Sequence, residues 1–182
     1  MGKKILFLSS SLRAGSNSEL LAEEAARGAR DAGGEAEVIS LKGKDLRFCI
    51  GCLACQKTGT CVLRDDAGAI VEKIQNAQTL VFVTPIYYYE MSGQLKTLLD
   101  RCNPLYPKEY AFRDVYLMTT SAEEGEEVSA RAAEGLKGWI ECFPKSRFAG
   151  LFDGGGVNER NEVKTRGDLL SRAYGFGKEL AK

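Results

Sequence analysis

The chain has 182 residues, with 25 Lys and Arg balanced by 25 Asp and Glu, six cysteines and no histidine. The even charge supplies no field to draw in nucleic acid or an anionic membrane, and no apolar run nears the ~20 residues that cross a bilayer. Without histidine, Ser–His and Cys–His nucleophilic pairs, His-ligated zinc and imidazole acid–base work are excluded, which leaves Cys, Tyr, Arg, Lys, carboxylates or a bound cofactor.

The length suits one domain over residues 1–182. No signal-peptide pattern precedes the first apolar run, so the expected location is cytoplasmic. Six cysteines in such a chain point to metal or redox use more than to a disulfide framework.

Ile5 to Leu8 is a short apolar run suited to a strand buried on both faces. It breaks into Ser9, Ser10 and Ser11, then Leu12-Arg13-Ala14-Gly15 and Ser16-Asn17-Ser18. The last three are good N-cap residues, and Leu20, Leu21, Ala25 and Ala29 then fall at helical spacing to Asp31. Two readings fit this loop. One is an ordinary capped helix after a buried strand. The other is an anion site, with first-turn N–H groups, neutral hydroxyl donors and the Arg13 fork around a phosphate monoester. Neither G-x-G-x-x-G after the strand nor G-x-x-x-x-G-K-[ST] occurs, so a dinucleotide or P-loop triphosphate fits poorly and a mononucleotide remains.

Glycines 33 and 34 end the helix, and Glu35 to Leu41 alternates as a short edge-type strand. Residues 46–64 read as an irregular, cysteine-rich loop. Asp65-Asp66 caps a helix carrying Ile70, Val71 and Ile74, and Thr79 to Thr84 is another apolar strand. Pro85 to Gly93 reads as a loop, followed by a helix from about Ser92 to Arg101. Val115 to Thr119 is a strand leading into Thr120, Ser121 and Ala122. A helix opens among Glu123 to Glu127 and runs to about Cys142, with the acids as dipole partners on a solvated face. Arg147 to Phe152 is a strand ending in a flexible Gly154-Gly155-Gly156 turn, and a last helix covers about Gly167 to Ala181.

Strand and helix alternate five times, which predicts a doubly wound α/β sandwich: a five-stranded parallel sheet with helices on both faces. The natural order is flavodoxin-like, 2-1-3-4-5, with ligands outside the carboxyl ends of strands one and three. The loops Ser9–Ser18, Pro85–Gly93 and Thr119–Ala122 meet there. Tyr87-Tyr88-Tyr89 on the second loop fits strand-end packing or a subunit contact, or a flat ring beside the anion cup; in this setting ring binding is the better reading.

Ser11-Leu12-Arg13 with Ser16-Asn17-Ser18 resembles the phosphate loop of the flavodoxin-like NADPH-dependent FMN reductases. Pro85-Ile86-Tyr87-Tyr88 with Met91 to Lys96 and Asp100-Arg101 is similar to their ring loop and following helix. The resemblance implies an FMN-dependent oxidoreductase with the flavin bound non-covalently. It places Ser11, Arg13, Ser16, Asn17 and Ser18 on the phosphate, Pro85, Ile86, Tyr87 and Tyr88 along the ring, and Thr119 and Ser121 at its polar edge. NAD(P)H or a protein is the implied donor, and a quinone, flavin or similar small molecule the acceptor.

Cys49, Cys52, Cys55 and Cys61 are spaced C-x2-C-x2-C-x5-C. Thiolates so close can wrap a [4Fe–4S] centre; zinc fits less well, because it usually takes two separated C-x2-C pairs. Free or reversibly oxidised thiols are the alternative. The spacing resembles that of the iron–sulfur flavoproteins, a branch of the same family. That resemblance implies these four cysteines as cluster ligands, a homodimer or homotetramer, and, as an alternative function, electron carriage with a ferredoxin-type partner and no NAD(P)H activity. Cys102 and Cys142 stand apart and read as small buried hydrophobes.

Overall fold

The computed structural model describes residues 2–182. Its elements in chain order are β1 (Lys4–Ser9), α1 (Asn17–Asp31), β2 (Glu35–Ser40), α2 (Ala54–Thr58), α3 (Ala67–Asn76), β3 (Thr79–Tyr87), β4 (Glu90–Met91), α4 (Gly93–Asp100), β5 (Asp114–Thr120), α5 (Glu126–Glu141), β6 (Arg147–Gly154) and α6 (Gly167–Leu180). The five long strands pair in parallel in the order β2-β1-β3-β5-β6, the expected 2-1-3-4-5 path. The two-residue β4 pairs antiparallel with β3 as a sixth strand.

Period-two alternation divides the core. Leu6, Leu8, Leu80, Phe82 and Leu117 face α3, α4 and α5. Ile5, Phe7, Val81, Val83 and Met118 face α1 and α6. A fully buried Leu or Phe among these contributes about 1.5–3 kcal/mol. The second layer is thin because its contact residues are small. Ala22, Ala25, Ala26 and Ala29 of α1 are fully buried. A Cβ at Gly28 would overlap the Tyr174 carbonyl, and one at Gly177 the Ala25 carbonyl, so only glycine permits this helix crossing.

Three local expectations are corrected. Pro85 to Tyr87 continue β3, because Thr84 and Pro85 pair with Thr119 and Thr120. The chain then reverses through Tyr88 and Tyr89 into β4, so the expected loop is a hairpin with a two-residue turn. Inside the cysteine segment, Ala54–Thr58 forms α2, stopped by Gly59 at φ 69°. As expected, α5 opens within residues 123–127, at residue 126 after Gly125 at φ 116°. Gly154 closes β6 instead of beginning a flexible turn; a Cβ there would lie 2.7 Å from the Thr119 carbonyl.

Candidate active site

Three connections gather at the carboxyl ends of β1, β3 and β5, where the topology reverses direction and open α/β sheets bind ligands. The first, Ser10 to Ser16, is fastened to the second by a buried hydroxyl chain. Ser10 Oγ donates to the Val83 carbonyl at 3.1 Å, Ser92 Oγ to Ser10 Oγ at 2.8 Å, and Ser92 N–H to Thr84 Oγ1 at 2.9 Å. Ser9 Oγ, at the end of β1, is buried without a partner.

Within the first loop the side chains divide the work. Ser16 is the N-cap of α1 and accepts from Glu19 N–H at 3.3 Å, leaving its own O–H free to donate. Ser18 Oγ pairs with Thr120 Oγ1 at 2.6 Å, and one of those two hydroxyls retains a free donor. Ser11 Oγ accepts from Arg13 N–H at 3.4 Å. Asn17 and Arg13 turn elsewhere. Asn17 Nδ2 donates to the Glu159 carbonyl at 2.8 Å, and its Oδ1 accepts from Val163 N–H at 3.2 Å. Arg13 Nη1 donates to the Asn158 carbonyl at 2.5 Å.

The hairpin supplies the aromatic side. Pro85 and Ile86 are half-buried, Tyr87 is exposed and Tyr88 is 97% exposed. Tyr88 and Tyr89 take φ of 52° and 65°, the left-handed conformation that a type I′ turn requires and that Asn-Gly usually supplies. Two tyrosines there carry strain of about 1–2 kcal/mol each. Tyr89 Oη donates to Glu123 Oε2 at 3.1 Å, and that carboxylate raises the phenol above its ordinary value. Glu123 thus latches the third connection to the second instead of serving only as a dipole partner. Thr119 and Ser121 both stand at this corner, but their hydroxyls are engaged within it. Thr119 Oγ1 accepts from Ser129 Oγ at 2.9 Å on the α5 side, and Ser121 Oγ donates to the Glu123 carbonyl at 2.8 Å.

Ser10, Ser92, Thr84, Thr120 and Glu123 complete this constellation although the motif reading passed over them. Alternation along β5 gives the one available signal: Met118 faces α1, so Thr120 must as well.

The cysteine segment adjoins this site. Leu12 of the first loop and Phe48, beside Cys49, line one groove of about 360 Å³. Cys49 and Cys52 are exposed, Cys61 is half-buried and Cys55 is buried; all six cysteines are free thiols. Burial pushes the Cys55 thiol up, and the neighbouring Cys61 adds to it. Cys61 Sγ accepts from Arg101 Nη2 at 3.4 Å, and Cys49 Sγ from Gly51 N–H at 3.5 Å. Among the described residues no three His, Cys, Asp or Glu stand at metal-ligand spacing. Cys102 is buried as expected, but Cys142 is exposed at the end of α5. The largest cavity described, about 770 Å³, lies at the opposite end of the sheet beside Lys4 and Glu35. No helix among the described residues is long and apolar enough to cross a membrane.

Arg101 and Asp65 lock the base of the segment. The guanidinium donates to both carboxylate oxygens, at 2.5 and 2.9 Å, with neither side chain exposed. Its Nη1 also reaches the Arg47 carbonyl at 2.7 Å.

Comparison with known proteins agrees with this architecture. The chain is 39% identical over 102 residues to an iron–sulfur flavoprotein of Methanocaldococcus jannaschii, covering 56% of this chain and 53% of that protein. An iron–sulfur flavoprotein of Archaeoglobus fulgidus is 38% identical over 96 residues, covering 53% of this chain and 45% of that one. The chain spans about half the length of these curated relatives. An NAD(P)H:quinone oxidoreductase from Methanothermobacter marburgensis superimposes with a TM-score of 0.75 at 18% identity, over 100% of this chain and 98% of that one, and so shares the fold. Residues 3–146 match the family model for NADPH-dependent FMN reductase, and the chain belongs to that family.

Proposed function

We propose that the chain, as one unit over residues 1–182, is an FMN-dependent oxidoreductase that takes electrons from NAD(P)H and passes them to a quinone, flavin or similar acceptor. The observation that carries this reading is the pairing of a hydroxyl-lined helix N-terminus with a tyrosine hairpin across the β1–β3 switch point. The residues fit the cofactor. Its phosphate calls for donors, and Ser9 Oγ is a buried hydroxyl with no partner at the base of this loop. The Ser11, Ser16 and Ser18 hydroxyls and the first amides of α1 hold the phosphate. Arg13 and Asn17 contribute through their amides, since their side chains are committed to the carbonyls at 158 and 159. Pro85, Ile86, Tyr87 and Tyr88 line the ring, and Thr119 and Ser121 shape the corner beside it.

When bound, FMN supplies hydride acceptance and one-electron release. The protein places it. The Ser10–Ser92–Thr84 chain fixes the gap between the phosphate loop and the ring hairpin, and the Tyr89–Glu123 bond holds the hairpin tip towards β5.

A second reading, electron carriage through a [4Fe–4S] centre to a ferredoxin-type partner, is favoured by the four thiols of residues 49–61. The fit is one of donor chemistry: N–H groups already reach the Cys49 and Cys61 sulfurs, while the thiols do not stand at ligand spacing. Exposed Phe48, Ile50 and Leu53 beside the site support a homodimer or homotetramer. Free cysteines support a cytoplasmic location.

The test is the visible spectrum of protein purified without oxygen, before and after NADPH. Flavin bands bleached by NADPH support the first reading. Flavin bands that resist NADPH, with iron and acid-labile sulfide present, favour the second. A chain that stays colourless after FMN is added sinks both.

A further inference from the structure

The segment between β6 and α6 lies against the phosphate loop, and it falls outside the family match of residues 3–146. Arg160 Nε donates to the Ala14 carbonyl at 2.9 Å, and Asn161 N–H donates to the Gly15 carbonyl at 3.0 Å. Asn17, 8% exposed, spends both ends of its amide on Glu159 and Val163. Gly15 sits at φ 70°, a conformation that favours glycine, and a Cβ there would lie 2.7 Å from Asn161 Nδ2, so the strap packs closely on this turn.

The strap is itself braced. Glu162 Oε2 accepts from the amides of Asn158 and Glu159 at 2.6 and 2.7 Å, which holds its carboxyl below the ordinary range. Val157 and Val163 anchor the two ends in the α1–α6 core.

In a trans peptide the C=O of one residue and the N–H of the next point in opposite directions. Drawing the Ala14 and Gly15 carbonyls onto the strap therefore turns the Gly15 and Ser16 amides the other way, away from the strap. It also removes two carbonyl oxygens from any anion held by the loop. We infer that residues 158–163 are a positioning strap that aims the Gly15 and Ser16 amides at the flavin phosphate, with Asn17 and Arg160 as its fastening residues. This rests on the FMN reading above and assigns phosphate selectivity to a part of the chain outside the family match.

The test compares dissociation constants for FMN and for riboflavin, which lacks the phosphate, by quenching of flavin fluorescence. Arg160→Met removes one fastening from an exposed position, and Asn17→Ala removes two from a buried one. Each misdirected amide forfeits a charge-assisted hydrogen bond, so FMN affinity is expected to fall about tenfold in Arg160→Met and further in Asn17→Ala. Riboflavin affinity should hold within twofold. Equal weakening of both flavins, or an unchanged FMN-to-riboflavin ratio in Arg160→Met, overturns the strap while leaving the FMN reading in place. Failure of the unmodified chain to bind either flavin overturns both. Should Asn17→Ala not fold, Arg160→Met alone decides.

Discussion

Asp65→Ala is expected to expose how the cysteine segment is held. The carboxylate accepts from four donors: Arg101 Nη1 and Nη2, Arg47 N–H at 2.9 Å and Ala67 N–H at 3.2 Å. Removing it leaves a guanidinium of zero side-chain exposure without its counter-ion. Breaking one side of such a pair costs about 3–5 kcal/mol. Arg101 Nε is already unpartnered, and only the Arg47 carbonyl and the Cys61 sulfur remain as acceptors, neither of them a carboxylate counter-ion. Arg101 also lines a groove of about 480 Å³ with Cys61 and Pro104, so solvent lies close to the cation, which places the loss near the lower end, about 3 kcal/mol. For a chain this size that lowers Tm by about 6–12 °C. Urea and thermal unfolding followed by far-UV circular dichroism read it. Replacing both partners by apolar residues, Asp65→Leu with Arg101→Met, should recover most of the loss. The pH arm has a definite sign. Burial alone would raise the Asp65 carboxyl, but Arg101 and two amides more than offset it and leave it lowered. Its stabilisation is therefore full above the ordinary carboxylate value and disappears as pH falls from there through the depressed native value. A loss under 1 kcal/mol for Asp65→Ala, or a double variant no better than the single, would refute a buried coupled pair.

In native metal-free protein, iodoacetamide followed by peptide mass spectrometry should mark Cys49, Cys52 and Cys142 first. Cys102, whose thiol burial drives far upward, should react only on unfolding; equal rates for Cys102 and Cys142 would contradict the packing. Gly177→Ala forces a methyl into the Ala25 carbonyl and should cost at least 1–3 kcal/mol in urea unfolding; a neutral result would mean that α1 and α6 pack less closely than described. Tyr88→Asn puts a residue tolerant of positive φ into the hairpin turn and should stabilise the fold by about 1 kcal/mol while lowering NADPH-dependent turnover; unchanged turnover would remove Tyr88 from the ring wall.

The sheet order was legible because short apolar runs are local signals: Ile5 to Leu8 and Leu80 to Val83 are of strand length and read as buried strands, which they are. The three site loops were legible as positions, since the topology fixes where they meet. The direction of each side chain was not. Asn17 looked like a phosphate donor because nothing near it in sequence competes for its amide, and its partners lie at 159 and 163. Thr119 looked site-facing, yet one step of strand alternation turns it to α5 and gives Ser18 to Thr120. The hairpin read as a loop because Tyr-Tyr is an unusual turn pair, held by pairing with β4 rather than by its own preference.

The cysteine segment is built to separate its base from its contents. Asp45 N–H donates to Asp66 Oδ2 at 2.8 Å, and Asp66 N–H returns a bond to the Asp45 carbonyl at 3.0 Å. With Arg47 bound to Asp65, both chain ends of the loop are zipped together and pinned to Arg101 at the end of α4. The closure entropy of residues 48–64 is thus met at the mouth, independently of how the thiols are arranged. Above that mouth the path is set by three left-handed residues, Gly51, Leu53 and Gly59. Of these only Leu53 is strained, because glycine adopts such angles freely. Thiol spacing is therefore governed by a few backbone angles over a fixed base. The buried ion pair, with four directional hydrogen bonds on its carboxylate, fixes the register of the two ends at that mouth.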